Sequence, residues 1–139
     1  MKEIKFRAWD KSKGVMIYEG FDIDPSGGMW IDQWGVGELF ELMQYTGLKD
    51  KNGVEIYEGD IVKVVEEKEW NEWRQEIYHR SIYGPEFTAP VIWNDGSTGF
   101  TLAYKWADTG KIDAHIRIEP NETEVIGNIY ENKGLVVNG

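Results

Sequence analysis

Short segments in which apolar and polar residues alternate, separated by glycine-containing turns, most constrain the fold of this chain. Residues 100–106 are the clearest example, because Phe100, Leu102, Tyr104 and Trp106 fall on one face of an extended strand. Comparable runs are EIKFRAW at 3–9, IVKVV at 61–65, APVIW at 89–93, HIRIE at 115–119 and EVIGNIY at 124–130. Short strands at a spacing of roughly ten residues predict an all-β small barrel or sandwich.

The same alternation predicts which residues form the core. The first twenty residues favour a β-hairpin, in which Ile4, Phe6 and Ala8 face one way, Lys5 and Arg7 face the other, and VMIYE at 15–19 returns. The residues expected inside are Val62, Val64, Phe100, Leu102, one of Ile116 and Ile118, and one of Ile126 and Ile129.

Residues 20–37 and 38–46 are harder to assign. The first segment contains five glycines and one proline, which is typical of a loop, and Trp30, Ile31 and Trp34 are expected to pin that loop to the core. In the second segment Leu39, Leu42 and Met43 have helical spacing. Because Gly37 and Gly47 bracket fewer than ten residues, a strand is favoured over a helix.

Residues 66–80 are the one candidate for a short helix. Trp70, Trp73 and Ile77 are spaced i, i+3, i+7 and would form a single apolar stripe. No Ser, Thr, Asp or Asn caps the start of the segment, so a long, twisted β-excursion is the alternative. If the stripe lies outside the barrel, it is a candidate interface for self-association.

Composition excludes several classes of protein. The chain has no cysteine, which excludes disulfides, thiol catalysis and cysteine-based zinc sites. No apolar run approaches the roughly 20 residues of a membrane span, and MKEIKFRAWD lacks the apolar region of a secretory signal, so we expect a cytoplasmic protein without membrane contact. A net charge of −10 disfavours a protein built to bind nucleic-acid phosphates.

The charge is distributed unevenly. Residues 1–13 form a basic arm with a local charge of +3, from Lys2, Lys5, Arg7, Lys11 and Lys13 against Glu3 and Asp10. A cluster of acids follows at Glu66, Glu67, Glu69, Glu72 and Glu76. Such a run is typical of a solvated face, with a recognition surface for a basic partner as the alternative.

Two turns stand out between the strands. Asn52-Gly53 is a strong short turn signal, and Gly59-Asp60 precedes a β-branched run. Gly59 can adopt a positive φ and the Asp60 carboxylate can accept backbone N–H groups, so we interpret these four residues as structural. The functional alternative is a Mg²⁺ or Ca²⁺ site at Glu58 and Asp60, which two carboxylates support weakly because calcium takes six to eight oxygens.

The chain offers no recognisable catalytic constellation. Its two histidines, His79 and His115, form no HExxH or HxH pair, and His115 is expected to be exposed. No serine lies in a nucleophile elbow, and no phosphate-binding glycine loop is present. We therefore assign no catalytic, cofactor-binding or metal residue and favour a protein that is not an enzyme, with a carboxylate-based enzyme ranked last.

Three blocks resemble the YopX family of phage and prophage proteins. They are IKFRAWD at 4–10, LMQYTGLKDKNGVEIYEGDIV at 42–62 and EVIGNIYEN at 124–132. The resemblance implies an all-β fold with a C-terminal SH3-type barrel, an N-terminal β-extension and a phage or prophage setting in a bacterium. It implies no activity and no catalytic residue. Lys133-Gly134 stands where members often carry Pro, and residues 66–88 match no motif of the family.

These observations predict one compact unit over residues 1–139. An N-terminal β-extension would occupy 1–48, and an SH3-like barrel 49–136 with an insertion at about 66–88. The expected function is that of a non-catalytic phage or prophage accessory protein that forms a homo-oligomer and contacts a host or phage protein in the bacterial cytoplasm. The alternatives are an acidic mimic that inhibits a host DNA-binding protein, and nucleic-acid binding by the barrel with the basic arm.

Overall fold

The strands of the protein begin and end near the turns that the sequence predicts. A computed structural model describes residues 3–31, 33–65, 86–105, 112–132 and 134–135 of the chain. The twelve strands of these residues are β1 (Phe6–Asp10), β2 (Val15–Ile17), β3 (Asp22–Ile23), β4 (Met29–Ile31), β5 (Trp34–Gly35), β6 (Phe40–Lys49), β7 (Glu55–Tyr57), β8 (Asp60–Val65), β9 (Glu86–Asn94), β10 (Gly99–Lys105), β11 (Ile112–Ile116) and β12 (Thr123–Asn128). Two single 3₁₀ turns, Gly37–Leu39 and Pro120–Glu122, complete the described elements.

The strands form three antiparallel sheets, which confirms the predicted all-β class. One sheet has the order β2-β1-β6-β7, a second has the order β11-β10-β9-β8-β12, and a small third sheet has the order β3-β4-β5. The fold includes a sheet that is curled into half a barrel. An SH3-type barrel stays a prediction. Within the described ranges, no helix is long and apolar enough to cross a membrane.

The four-stranded sheet begins with the predicted hairpin. Ala8 pairs with Ile17 across β1 and β2, and Ala8 also pairs with Leu42 of β6, so β1 is an inner strand. The strand interpretation of residues 38–46 is confirmed by β6. This strand continues through Gly47, whose φ of 87° accompanies an irregular register with β7. β7 lies beyond residue 48, the predicted end of the extension, yet pairs with β6.

The five-stranded sheet carries the main hydrophobic core on one face. Leu102 pairs with Val91 and Val62 pairs with Ala89, and all four side chains are buried, as the alternation predicted for Leu102 and Val62. The cluster consists of Ile56, Val62, Val64, Phe87, Ala89, Val91, Leu102, Tyr104 and Ile118, with Phe100, Ile116 and Val125 packed against it. Residues 86–88, placed in the predicted insertion, belong to β9 and supply part of this core.

Two details of the predicted core are wrong. Ile4 is exposed, whereas Arg7, which was assigned to the polar face, is buried. At the other end of the chain Ile129 is exposed and Ile126 is half-buried, because β12 has an irregular register between Val125 and Gly127 and the chain turns after Asn128. Trp106, placed on the core face of its strand, lies outside the described residues.

Residues 20–37 are not a plain loop. Asp22 pairs with Trp30, and Trp30 pairs with Gly35, which makes β3, β4 and β5 a small meander. Met29 is buried, whereas Trp30 and Trp34 are exposed. The expectation that these two tryptophans pin the segment to the core is therefore wrong. Trp30 points to the face opposite Met29, because adjacent side chains of a strand alternate. Trp34 pairs with Ile31 on the Met29 face but remains in solvent.

The beginning and the end of the described chain meet. Trp9 of β1 stacks on Tyr130, which follows β12, with 5.4 Å between the ring centroids. Beside them the Ile129 N–H donates to the Gly59 carbonyl oxygen over 2.9 Å. The predicted helix at 66–80, with its acidic cluster and its stripe of Trp70, Trp73 and Ile77, lies outside the described residues.

Candidate functional site

The Gly59-Asp60 turn lies where the two larger sheets meet. Gly59 has a φ of 86°, and a Cβ at this position would lie 3.0 Å from the Met43 sulfur. A side chain here would therefore meet both an unfavourable backbone conformation and a close neighbour. The Asp60 Oδ2 accepts a hydrogen bond from the Tyr57 backbone N–H over 2.7 Å, which closes the turn between β7 and β8.

The second oxygen of Asp60 binds a residue of the first strand. Arg7 donates from Nη2 to the Asp60 Oδ1 over 2.8 Å and to the Glu58 carbonyl oxygen over 3.3 Å. The guanidinium carbon lies 4.7 Å from the centre of the Tyr57 ring, which is the geometry of a cation–π contact. The ion pair thus connects β1 to β8, and its guanidinium packs on the Tyr57 ring.

This ion pair is removed from water. Arg7 is 4% exposed and Asp60 is 2% exposed. Burial raises the pKa of Asp60, and the Arg7 charge together with the Tyr57 N–H counteracts that rise. The Arg7 Nε is buried with no hydrogen-bond partner among the described residues. Because neither side chain can be reached by a dissolved substrate, we interpret the pair as a structural link between the sheets.

The Asn52-Gly53 turn is organised by a neighbouring carboxylate. Asp50 accepts the backbone N–H groups of Asn52 and Val54 on Oδ1, and that of Val125 on Oδ2. Gly53 has a φ of 82°. The turn that follows β6 is therefore attached to β12, and the side chain that does this, Asp50, is one that the sequence analysis did not single out.

Most of the basic arm is already paired within the chain. Lys5 forms an ion pair with Glu55, Arg7 with Asp60, and Lys11 with Glu41 over 3.1 Å. The hydrogen bond that Lys5 donates to the Glu55 carboxylate raises the pKa of Lys5. These contacts connect β1 and the following turn to β6, β7 and β8, so they hold the N-terminal sheet together.

The other titratable candidates are dispersed. Burial raises the pKa of Glu58, which lies beside the buried turn. His115 is exposed, as predicted, and its Nδ1 lies 3.1 Å from the Thr101 hydroxyl. Among the residues that the structure describes, no three His, Cys, Asp or Glu side chains are grouped as metal ligands. His79 lies outside them.

The small sheet presents two aromatic side chains to solvent. Trp34 is 75% exposed, and Trp30, on the opposite face of the β4–β5 hairpin, is also exposed. Large aromatic side chains normally bury most of their area, so two exposed tryptophans on one hairpin indicate a candidate interaction surface. This surface was not predicted, because the five glycines and the proline of residues 20–37 were interpreted as a loop.

Comparison with known proteins adds the evolutionary context. The family model described as YopX protein matches residues 5–136. The crystal structure of protein EF1440 from Enterococcus faecalis is similar, with 25% identity, a TM-score of 0.57 and coverage of 98% of this chain and 99% of that chain. The crystal structure of protein yopX from Bacillus subtilis shares the fold, with 20% identity, a TM-score of 0.55 and coverage of 98% and 99%. No curated protein matches the chain. Because the family model spans almost its whole length, the chain belongs to the YopX protein family.

Proposed function

We propose that the protein is a non-catalytic accessory protein of a phage or prophage that acts in the bacterial cytoplasm by contacting another protein. The observation that carries this proposal is the β4–β5 hairpin with Trp30 and Trp34 exposed on its two faces. Tryptophan is enriched among the residues that dominate protein–protein binding energy, and leaving such area in water is unfavourable for a monomer. The hairpin therefore has the character of an element that a partner protein covers.

Nucleic-acid binding through the basic arm is less well supported. Such binding needs lysines and arginines that are free to contact phosphates. Lys5, Arg7 and Lys11 are each paired with an acidic residue of the chain, and Arg7 is buried. The acidic-mimic alternative rests on the cluster from Glu66 to Glu76, and it predicts binding to host DNA-binding proteins that weakens steeply with salt.

The proposed contact is tested by capture with two variants. Wild-type protein and Trp34→Ala are used to capture partners from a bacterial lysate, and the affinity of each purified partner is then measured by calorimetry. We expect Trp34→Ala to lower the affinity for a partner that binds the hairpin about tenfold, which is a modest loss for an interface tryptophan. Trp93→Ala, an exposed tryptophan of β9, is the control. A partner bound equally by all three proteins would contradict a role for the hairpin.

We further propose that the protein forms a homo-oligomer, partly through β2. This strand is at the edge of the four-stranded sheet, and Val15 at its start and Tyr18 just after it are exposed. Edge strands with apolar side chains pair readily with other chains. The stripe of Trp70, Trp73 and Ile77 is the other candidate interface and lies outside the described residues.

Light scattering at micromolar concentration and 150 mM NaCl tests this assembly. We expect a mass that is a multiple of 16.1 kDa. Val15→Glu should reduce it, because like charges would then face each other across a symmetric contact. Val54→Glu is the matched control, since Val54 is about equally exposed and lies beside β7 at the opposite edge of the sheet. A single 16.1 kDa species for the wild-type protein would contradict self-association.

A further inference from the structure

One face of the small sheet combines an aromatic ring with acidic neighbours. Asp22 of β3 is the cross-strand partner of Trp30, and Gly35 of β5 pairs with Trp30 on the other side. Residues that pair directly across strands share a face. Asp22 is exposed, and no described residue donates a hydrogen bond to its carboxylate. We call the set of Asp22, Asp24, Trp30 and Gly35 the Trp30 face.

The Trp30 ring is held in position by its neighbours. Its indole Nε1 donates to the Asp24 Oδ2 over 2.8 Å. The six-membered ring lies against Gly35, where a Cβ would be 3.5 Å from Cζ3. The ring nevertheless remains exposed, at 40% for the residue as a whole. A fixed aromatic surface binds a ligand with a small loss of conformational entropy, because its orientation does not have to be established on binding.

Asp24 is a permanent negative charge beside this ring. Its Oδ1 accepts the backbone N–H groups of Ser26 and Gly28, each over 2.9 Å, and the Ser26 hydroxyl. The hydrogen bonds from Ser26 and from the Trp30 indole hold the pKa of Asp24 well below its usual range. The carboxylate is therefore ionised at neutral pH.

The surrounding chain contains no positive charge to neutralise this face. Residues 14–48 include six acids and no Lys, Arg or His. The acids are Glu19, Asp22, Asp24, Asp32, Glu38 and Glu41. Of these, Glu41 is paired with Lys11 of the preceding turn. Asp22 and Asp24 are paired with no cation among the described residues, so the charge of the Trp30 face complements a cationic ligand.

We propose that the Trp30 face binds an arginine-rich segment of the partner protein. A planar guanidinium can stack on the tryptophan ring and donate two parallel hydrogen bonds to the Asp22 carboxylate at the same time, whereas a lysine ammonium provides only a point charge. The segment comes from a different protein and not from a second copy, because this chain has no arginine-rich segment: its four arginines, Arg7, Arg74, Arg80 and Arg117, lie at least six positions apart. This inference rests on the proposed function.

Fluorescence polarisation with synthetic peptides tests the inference. The probes are two fluorescein-labelled peptides of equal length and charge, one with six arginines spaced by glycine and serine, and one with six lysines. We expect the arginine peptide to bind more tightly and its affinity to fall as NaCl rises from 50 to 300 mM. Trp30→Ala should weaken it about tenfold, and Asp22→Asn, an exposed change that leaves the ring in place, about threefold.

Two matched controls separate this face from the overall negative charge. Trp93 is 45% exposed and donates from Nε1 to the Asp95 Oδ1 over 2.8 Å, so it reproduces the Trp30–Asp24 contact in another sheet. Trp34 lies on the opposite face of the same hairpin. Trp93→Ala and Trp34→Ala should each change the affinity for the arginine peptide less than twofold. Circular dichroism of every variant confirms that the sheets are retained.

Two results would overturn the inference. One is equal binding of the arginine and lysine peptides. The other is an equal loss of affinity in Trp30→Ala and Trp93→Ala, which would indicate attraction by net charge alone. If neither peptide binds while capture of a protein partner still depends on Trp34, the inference fails and the proposed function stands. If no partner is captured either, both fail.

Discussion

Asp60→Ala should lower the free energy of unfolding by about 3–5 kcal/mol, measured by urea denaturation at pH 7. The substitution leaves the Arg7 guanidinium buried at 4% exposure without the carboxylate that it contacts at 2.8 Å. An arginine side chain does not release its proton, so the uncompensated charge persists at every accessible pH. The substitution also removes the acceptor for the Tyr57 N–H, which closes the β7–β8 turn.

The reverse substitution distinguishes an ion pair from simple packing. Arg7→Met leaves Asp60 buried, but a carboxyl group can take up a proton. Burial already raises the pKa of Asp60 above its ordinary value of 3.8, and loss of Arg7 removes the charge that opposes this rise. A raised folded-state pKa stabilises the folded protein at low pH, and this stability is lost as the pH rises through it. The loss of unfolding free energy in Arg7→Met should therefore be smaller at pH 5 than at pH 7, whereas the loss in Asp60→Ala should not become smaller at pH 5.

An exposed pair supplies the control for both variants. Lys11 and Glu41 form an ion pair of 3.1 Å in which both side chains are about half-exposed. Lys11→Met should change the free energy of unfolding by less than about 0.5 kcal/mol, because solvent screens such a pair. An Asp60→Ala protein within about 1 kcal/mol of the wild type would show that the buried pair does not hold the sheets together.

Leu102→Ala is the second substitution with a large expected effect. Leu102 is a fully buried residue of β10, paired with Val91 on one side and Ile116 on the other, and it lies within the main hydrophobic cluster. Truncation removes three side-chain carbons and leaves a cavity, because the surrounding strands can relax only partly into the space. The expected cost is about 2–5 kcal/mol in urea denaturation.

A leucine on the surface provides the comparison for Leu102. Leu39 is exposed and ends the 3₁₀ turn before β6. Leu39→Ala should cost less than about 0.5 kcal/mol, because little apolar area leaves a buried environment. Equal losses for the two leucines would place Leu102 outside the cooperative core.

Much of the fold follows from local sequence patterns. The alternation around Leu102 and that around Val62 and Val64 predicted both strands and the faces that enter the main core, although Ala103 and Ile61 on the opposite faces are buried as well. The β1–β2 hairpin was predictable because Ala8 and Ile17 lie in neighbouring runs joined by a polar turn.

The candidate site depends on contacts that no local pattern contains. Arg7 appears on the polar face of its run, and its burial is explained only by Asp60, 53 positions further along the chain. Arg7 and Ala8 point to opposite faces of β1 and are both buried, so alternation does not mark a side that faces water. The small sheet was missed for another reason. β3 and β5 have two residues each, too few for a period of two to be recognised.

The stacking of Trp9 on Tyr130 has a consequence for protein synthesis. Tyr130 follows Trp9 by 121 positions, and at about 5–20 residues per second a ribosome needs on the order of 10 s to add it. During that time the nascent β1 has neither Tyr130 nor, at first, Asp60 to cover its side chains. The order of translation therefore leaves the Trp9 ring without its stacking partner until the end of the chain is made, and chaperones that bind emerging apolar segments have access to it during that time.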